Sequence, residues 1–301
     1  MNMQTPLPFD LEPAVPAGKA VPTRVPTPAD LTITVRDRRF GRGHVPAKWW
    51  LNNDPIATHW HNALSATFPR GEAFFIEAVK AHRDGASPKL EAEIRAFVKQ
   101  EINHTREHIA FNRIASDAGY DLEVIDARLE KNLAMTKDRP AIVNLAVTMA
   151  LEHYTAMMAH DFLKNPAHFA GADPEIAAMW RWHATEEIEH KGVAYDTWLH
   201  ATRGWSTWRR WKLKALMMTL ITKTFLTNRW NDTLGLLAQD GLTGWKWKAR
   251  LMWYLIGTPG ILRRIFPAWV AYFLPGFHPW NHDDRALIAK SESEFADAVM
   301  A

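Results

Sequence analysis

Residues 100–108 read QEINHTREH and residues 183–190 read HATEEIEH, and these two stretches decide the fold. In the first, Glu101, His104 and His108 stand at i, i+3 and i+7. In the second, His183, Glu187 and His190 stand at i, i+4 and i+7. Each triplet falls on one face of a helix. A Glu and a His one turn apart converge on a point beside that helix, which suits a metal ion. Two such helices facing each other can hold two ions. With 16 Glu and 14 His in 301 residues, chance alone supplies about one Glu-x-x-His pair, so the spacing decides little without its context.

The context is a repeat. Glu72, in FPRGEAFFIEAV, precedes Glu101 by 29 residues, and Glu152, in VTMALEHYTAMM, precedes Glu187 by 35. The order Glu, then Glu-x-x-His, therefore occurs twice. A carboxylate amid Phe, Ile and Met is costly unless it is paired or metal-bound. One Glu from each of two helices plus Glu-x-x-His from two others is the ligand logic of di-iron carboxylate bundles. The expected fold is all-α: a ferritin-like four-helix bundle with additional C-terminal amphipathic helices.

Other readings of these residues stay open. Glu101, His104, Glu187 and His190 could form solvated charged faces, and Glu152 a buried ion pair. Glu77 competes with Glu72 but sits about 140° around the helix from it. His108 and His183 are each either a third ligand on their helix or a hydrogen-bonding support. Glu107, Glu186 and Glu189 read as solvated or supporting groups. Tyr154 and Tyr195 read as core packing, and His59, His61 and His153 as structural.

Around the motifs the pattern is helical. Ser87-Pro88, Asp138 with Pro140, and Asp173-Pro174 are cap-and-proline starts, predicting helices over 88–118, 140–164 and 174–202. A fourth long helix is expected over 55–84 and a short one over 122–136. Shorter amphipathic pieces follow near 206–227, 229–239, 244–256 and 260–272, with an acidic helix at 283–300. Seven prolines between Pro6 and Pro28 predict an extended arm, and Leu31–Val35 has the alternation of a short strand. The expected organisation is a Pro-rich arm over 1–45, a metal-binding bundle over 46–204 and a basic, Trp-rich appendage over 205–301.

Composition narrows the chemistry. The chain has no cysteine, so any metal must be held by His, Asp and Glu, a ligand set that suits iron, manganese or zinc. No signal peptide or membrane span is read, so a cytoplasmic protein is expected. Residues 201–275 carry 12 Lys and Arg against only Asp232 and Asp240, and nine of the 15 Trp lie between Trp205 and Trp280. Trp with Lys and Arg on helices suits an anionic membrane surface. The competing expectation is that the Trp pack as a lid or a homodimer surface. No nucleic-acid motif is found.

FPRGEAFF, QEINHTREH, LEHY and HATEEIEHKGVAYD resemble a bacterial family catalogued as predicted metal-dependent hydrolases, over about residues 35–275. The ligand order also resembles the di-iron N-oxygenase family acting on p-aminobenzoate. That resemblance implies a metal set of Glu72, Glu101, His104, Glu152, His183, Glu187 and His190, with His183 a seventh ligand. The functional expectation is a di-iron oxidase or oxygenase with two iron ions, acting with dioxygen on a small or lipid-like substrate inside walls from Phe74, Phe75, Met149, Met157 and Met158. The alternatives are a two-metal hydrolase using hydroxide generated at the metal pair, and a non-catalytic iron-binding protein.

Overall fold

Ser87 opens the longest of the motif-bearing helices: its Oγ accepts the Leu90 N–H at 3.2 Å, with Pro88 in the first turn. Such a cap contributes about 1 kcal/mol. The computed structural model describes residues 27–300, so the expected arm falls, over 1–26, outside the described residues. Eleven α-helices are described: α1 Pro55–Ser65, α2 Phe68–Lys80, α3 Pro88–Asp117, α4 Glu123–Ala134, α5 Ala141–Lys164, α6 Pro174–His190, α7 Val193–Ala201, α8 Thr207–Gln239, α9 Trp245–Ile256, α10 Ile261–Ala271 and α11 Arg285–Met300. The protein is all-α. The described residues contain no strand, only an isolated bridge between Leu51 and Ala172.

Several boundaries differ from the sequence reading. The helix expected over 55–84 is two helices. Pro69 lacks an N–H and would crowd the carbonyl of Ser65, so the chain turns at Ala66–Thr67. Arg229 of α8 fills the break, donating to Ala63 O and Thr67 Oγ1, both at 2.8 Å. The helix expected over 174–202 is also divided, at Lys191–Gly192. A side chain at position 192 would sit 2.8 Å from Thr27 Oγ1 and 3.0 Å from the Trp280 ring, so glycine is needed there. Conversely, the pieces expected at 206–227 and 229–239 form the single 33-residue α8. Asp173 caps α6 as expected, but Asp138 caps nothing; Pro140 takes the cap position of α5.

Leu31–Val35 is not a strand. It lies extended across α3 and α6, where side chains take the place of a partner strand. Thr34 N–H donates to Glu189 at 3.2 Å, and Gln100 donates to Thr34 O at 3.1 Å.

α2 packs on α3, α3 on α6, α6 on α5 and α5 on α2, closing a ring of four. Phe97, Leu145, Trp182 and Ile188 are fully buried in it, each contributing roughly 1.5–3 kcal/mol relative to exposure. α8 runs along α1 and α5, α10 lies on α5 and α9, and α11 covers α6. The core is continuous from Ile33 and Phe40 through the ring to Leu251 and Ile265. Among the described residues no helix is long and apolar enough to cross a membrane.

Candidate metal centre

Phe75 and Val79 turn one face of α2 into the ring and carry Glu72 with them, while Glu77 on the other side is exposed and pairs with Lys80 at 3.0 Å. Glu72 meets Glu101 and His104 from α3, Glu152 from α5, and His183, Glu187 and His190 from α6. All seven are buried. Donor atoms of Glu72, Glu101 and His104 lie within 4.8 Å of one another. So do those of Glu101, Glu152 and His190, and those of His104, His183 and Glu187. Glu101 belongs to two of these groups.

Eight atoms in the cluster are buried and make no hydrogen bond: Glu72 Oε1, both oxygens of Glu101, both of Glu152, Glu187 Oε2, His104 Nδ1 and His190 Nε2. Buried polar groups almost always find a partner, so this concentration calls for a ligand. The donor set of carboxylates and imidazoles fits divalent cations, and four carboxylates match the charge of two.

The hydrogen-bond network fixes which nitrogen of each imidazole faces inward. The Gln100 amide donates to Glu189 and Thr34 O, so its oxygen must accept from His190 Nδ1 at 3.0 Å. The His190 Nε2 lone pair is then left facing Glu101 at 3.2 Å and Glu152 at 3.5 Å. His104 Nε2 donates to Glu186 at 3.0 Å, leaving Nδ1 toward Glu187 and Glu101. For His183 the chain of logic is longer. Asn112 donates through Nδ2 to Ser65 O, so its Oδ1 accepts from Ser65 Oγ at 2.7 Å. Ser65 Oγ must then accept from His108 Nδ1 at 2.8 Å, and His108 Nε2 from His183 Nδ1 at 2.5 Å. His183 Nε2 therefore presents a lone pair 2.8 Å from Glu187 Oε1, a contact that a proton or a cation must bridge. All three imidazoles donate outward and aim a lone pair inward, the arrangement that orients histidine toward a metal.

Burial and the proximity of like groups set the electrostatics of the cluster. Burial, then the neighbouring carboxylates, push Glu72, Glu101 and Glu152 well above the usual carboxyl range. Burial pushes Glu187 the same way; only positive charge at His190 and His183 overcomes it and holds this carboxyl well below the usual value, so its contact with their inward lone pairs calls for a proton or a cation. Burial, reinforced by His183, drives His104 and His108 well below the usual imidazole value, so both are neutral and able to coordinate or to accept.

Outside the cluster, residues 34–42 bind the supporting carboxylates. Arg36 donates to both oxygens of Glu189 and its N–H to Glu186 at 2.9 Å; Phe40 N–H and Arg42 donate to Glu107. Glu186 and Glu189 are thus supports, reaching His104 directly and His190 through Gln100, while Glu107 binds Phe40 N–H, Arg42 and Arg106. Sequence reasoning missed Arg36, Gln100, Ser65 and Asn112. Only the run RDRRFGR at 36–42 signalled an excess of donors, without indicating where they bind. Tyr154 and Tyr195 bond Thr222 and Phe277 O, away from the centre. His59, His61 and His153 are structural, bonded to Asp240, Ala57 O and Ala268 O.

A cavity of about 20 Å³, room for one water-sized molecule, touches His183 and Glu187. Its apolar wall comes from Leu64, Phe68, Met158, Phe162 and Trp180. Of the five wall residues expected from sequence, Met158 lines it.

A family model described as predicted metal-dependent hydrolase matches residues 34–283. The chain belongs to that family. No curated protein and no solved structure matches it. The match starts at Thr34, whose backbone holds Glu189 and Gln100, and spans all seven cluster residues.

Proposed function

We propose that this chain is a two-metal-dependent enzyme in a ferritin-like bundle, and that its reaction is hydrolysis. The six unpartnered buried carboxylate oxygens, met by three inward imidazole lone pairs, carry the metal reading. Family membership favours hydrolysis. Glu72, Glu101, His104, Glu152, His183, Glu187 and His190 would together hold the two ions. Two such ions supply Lewis acidity and bring the ionisation of a water toward neutral pH. Glu187 borders the small cavity, where it can accept a hydrogen bond from a water. Phe68, Phe162 and Trp180 exclude bulk solvent. Arg36, through Glu186 and Glu189, keeps the outer nitrogens of His104 and His190 engaged.

The test is turnover of ester and phosphoester substrates by zinc- or manganese-loaded protein under strict anaerobiosis, with metal content measured alongside. Two ions per chain and anaerobic turnover are expected. Fewer than one ion per chain overturns the metal reading.

A second reading, oxidation of a small or lipid-like substrate by dioxygen at two iron ions, is favoured by the apolar wall of the cavity, which suits dioxygen. Near-UV absorbance that develops only when the iron-loaded protein meets air, with no anaerobic turnover, would select it.

A further inference from the structure

α9 is apolar on two opposite faces. Leu251, Tyr254 and Leu255 point into the core. Trp245, Ala249, Met252, Trp253 and Ile256, at i, i+4, i+7, i+8 and i+11, form a second stripe about 100° wide that faces solvent. Trp245 is 81% exposed and Trp253 67%. Lys248 borders one edge of the stripe, and Lys246 and Arg250 the other. All three are exposed, and none pairs with a carboxylate among the described residues. Lys246 and Arg250 lie on the ring of the half-buried Trp247 instead. α10, packed against α9, adds exposed Phe266 and Val270, and Arg263 ties the two helices by donating to Ile256 O and Gly257 O. From Gly241 to His282 the sequence has no Asp or Glu at all.

A solvent-facing stripe of Trp, Met and Ile is costly unless something covers it. We infer that the α9–α10 hairpin lies in the plane of an anionic lipid surface, its stripe inserted among the headgroups and its flanking cations on the lipid phosphates. The chemistry of the stripe distinguishes among occupants. Tryptophan at an apolar–polar boundary with Lys and Arg beside it matches the headgroup region of a bilayer. A second copy would bring a like-charged face against this one, with no carboxylate in the hairpin to offset it. A nucleic acid would engage the cations at the edges and leave the apolar centre unpartnered. α10 also touches the metal-bearing helix directly, His153 of α5 bonding Ala268 O next to Glu152, so the lipid-facing hairpin and the centre share a wall. This inference is independent of which reaction the centre performs.

Flotation of the full-length protein with phosphatidylglycerol and with phosphatidylcholine vesicles at low salt tests it. Binding to phosphatidylglycerol alone is expected, lost progressively as salt rises. The Trp245→Ser/Trp253→Ser variant should bind about tenfold or more weakly with unchanged circular dichroism. Lys246→Ser/Lys248→Ser/Arg250→Ser should lose the preference for the anionic lipid. Absence of flotation with phosphatidylglycerol overturns the inference, as does equal flotation of the tryptophan variant. A dimer in lipid-free solution that depends on Trp245 and Trp253, seen by light scattering, would assign the stripe to a second copy. Duplex DNA binding that survives the tryptophan substitutions, with no flotation, would assign the cations to nucleic acid.

Discussion

Arg36 and Glu189 form a two-pronged ion pair across 153 residues of sequence, Nη1 to Oε2 at 2.9 Å and Nη2 to Oε1 at 2.7 Å. Glu189 also accepts from Gln100, whose oxygen sets the tautomer of His190. The backbone N–H of the same Arg36 binds Glu186, which receives His104. One residue of the segment before α1 thus orients imidazoles on both motif helices.

Arg36→Ala leaves Glu189 buried without its partner and should destabilise the fold by about 3–5 kcal/mol. Arg36→Lys, which keeps the charge but not the planar fork, should fold and lose about tenfold or more in metal affinity. Denaturant midpoints and chelator competition measure the two effects. Wild-type affinity in Arg36→Lys would show that the fork has no positioning role.

His108→Ala should weaken metal binding by about 10–100-fold without changing the number of ions bound, because His183 loses the acceptor that orients it. His190→Ala should remove one ion. Metal stoichiometry after dialysis separates the supporting residue from the ligand.

Glu101→Gln replaces a buried carboxylate that has no hydrogen bond with a neutral group of the same shape. The metal-free protein should gain stability while the capacity for the second ion is lost. Thermal melts with and without divalent metal should cross: the variant melts higher than wild type when bare and lower when metal is supplied.

The metal-free protein should lose stability as pH rises from about 6.5 to 8. In that window the unfolded chain has released its carboxyl protons. Glu72, Glu101 and Glu152, pushed well above the usual range by burial and then by neighbouring carboxylates, still hold theirs. The folded state binds more protons, so raising pH favours unfolding. His104 and His108, held below their usual value, are neutral in the folded state; the protons the unfolded chain still binds at them near pH 6.5 oppose this slope and are gone by about pH 8. Metal displaces those protons, so the rise in melting temperature on adding a divalent ion should grow over the same range. A flat or rising stability of chelated protein between these pH values would contradict the protonated cluster.

The helices bearing the motifs were legible because a helix is local. Ser87-Pro88 starts α3 and Asp173-Pro174 starts α6 through bonds to residues two or three positions on. The divisions at Thr67 and Gly192 were less legible. Pro69 signalled the first, but Gly192 is required by Thr27 and Trp280, contacts that no local pattern contains. Leu31–Val35 misled for the same reason: its alternation is that of a strand, yet its hydrogen-bond partners are side chains of Gln100 and Glu189.

The spacing of Glu101 with His104 and of Glu187 with His190, repeated after Glu72 and Glu152, was enough to name six of the seven residues that meet, since side chains three or four positions apart share a helical face; His183, which spacing left level with His108, came from the resemblance. Their chemistry was settled by contacts between distant segments. Gln100, Glu186 and His108 dictate which nitrogen of each histidine holds the proton, and Arg36 secures two of those partners. Trp245 and Trp253 are exposed because Leu251, Tyr254 and Leu255 claim the buried face of α9. A periodicity specifies which side chains lie together on a helix. Which side of that helix meets the core, and which donor reaches which carboxylate, follows only from the packing of the helices on one another.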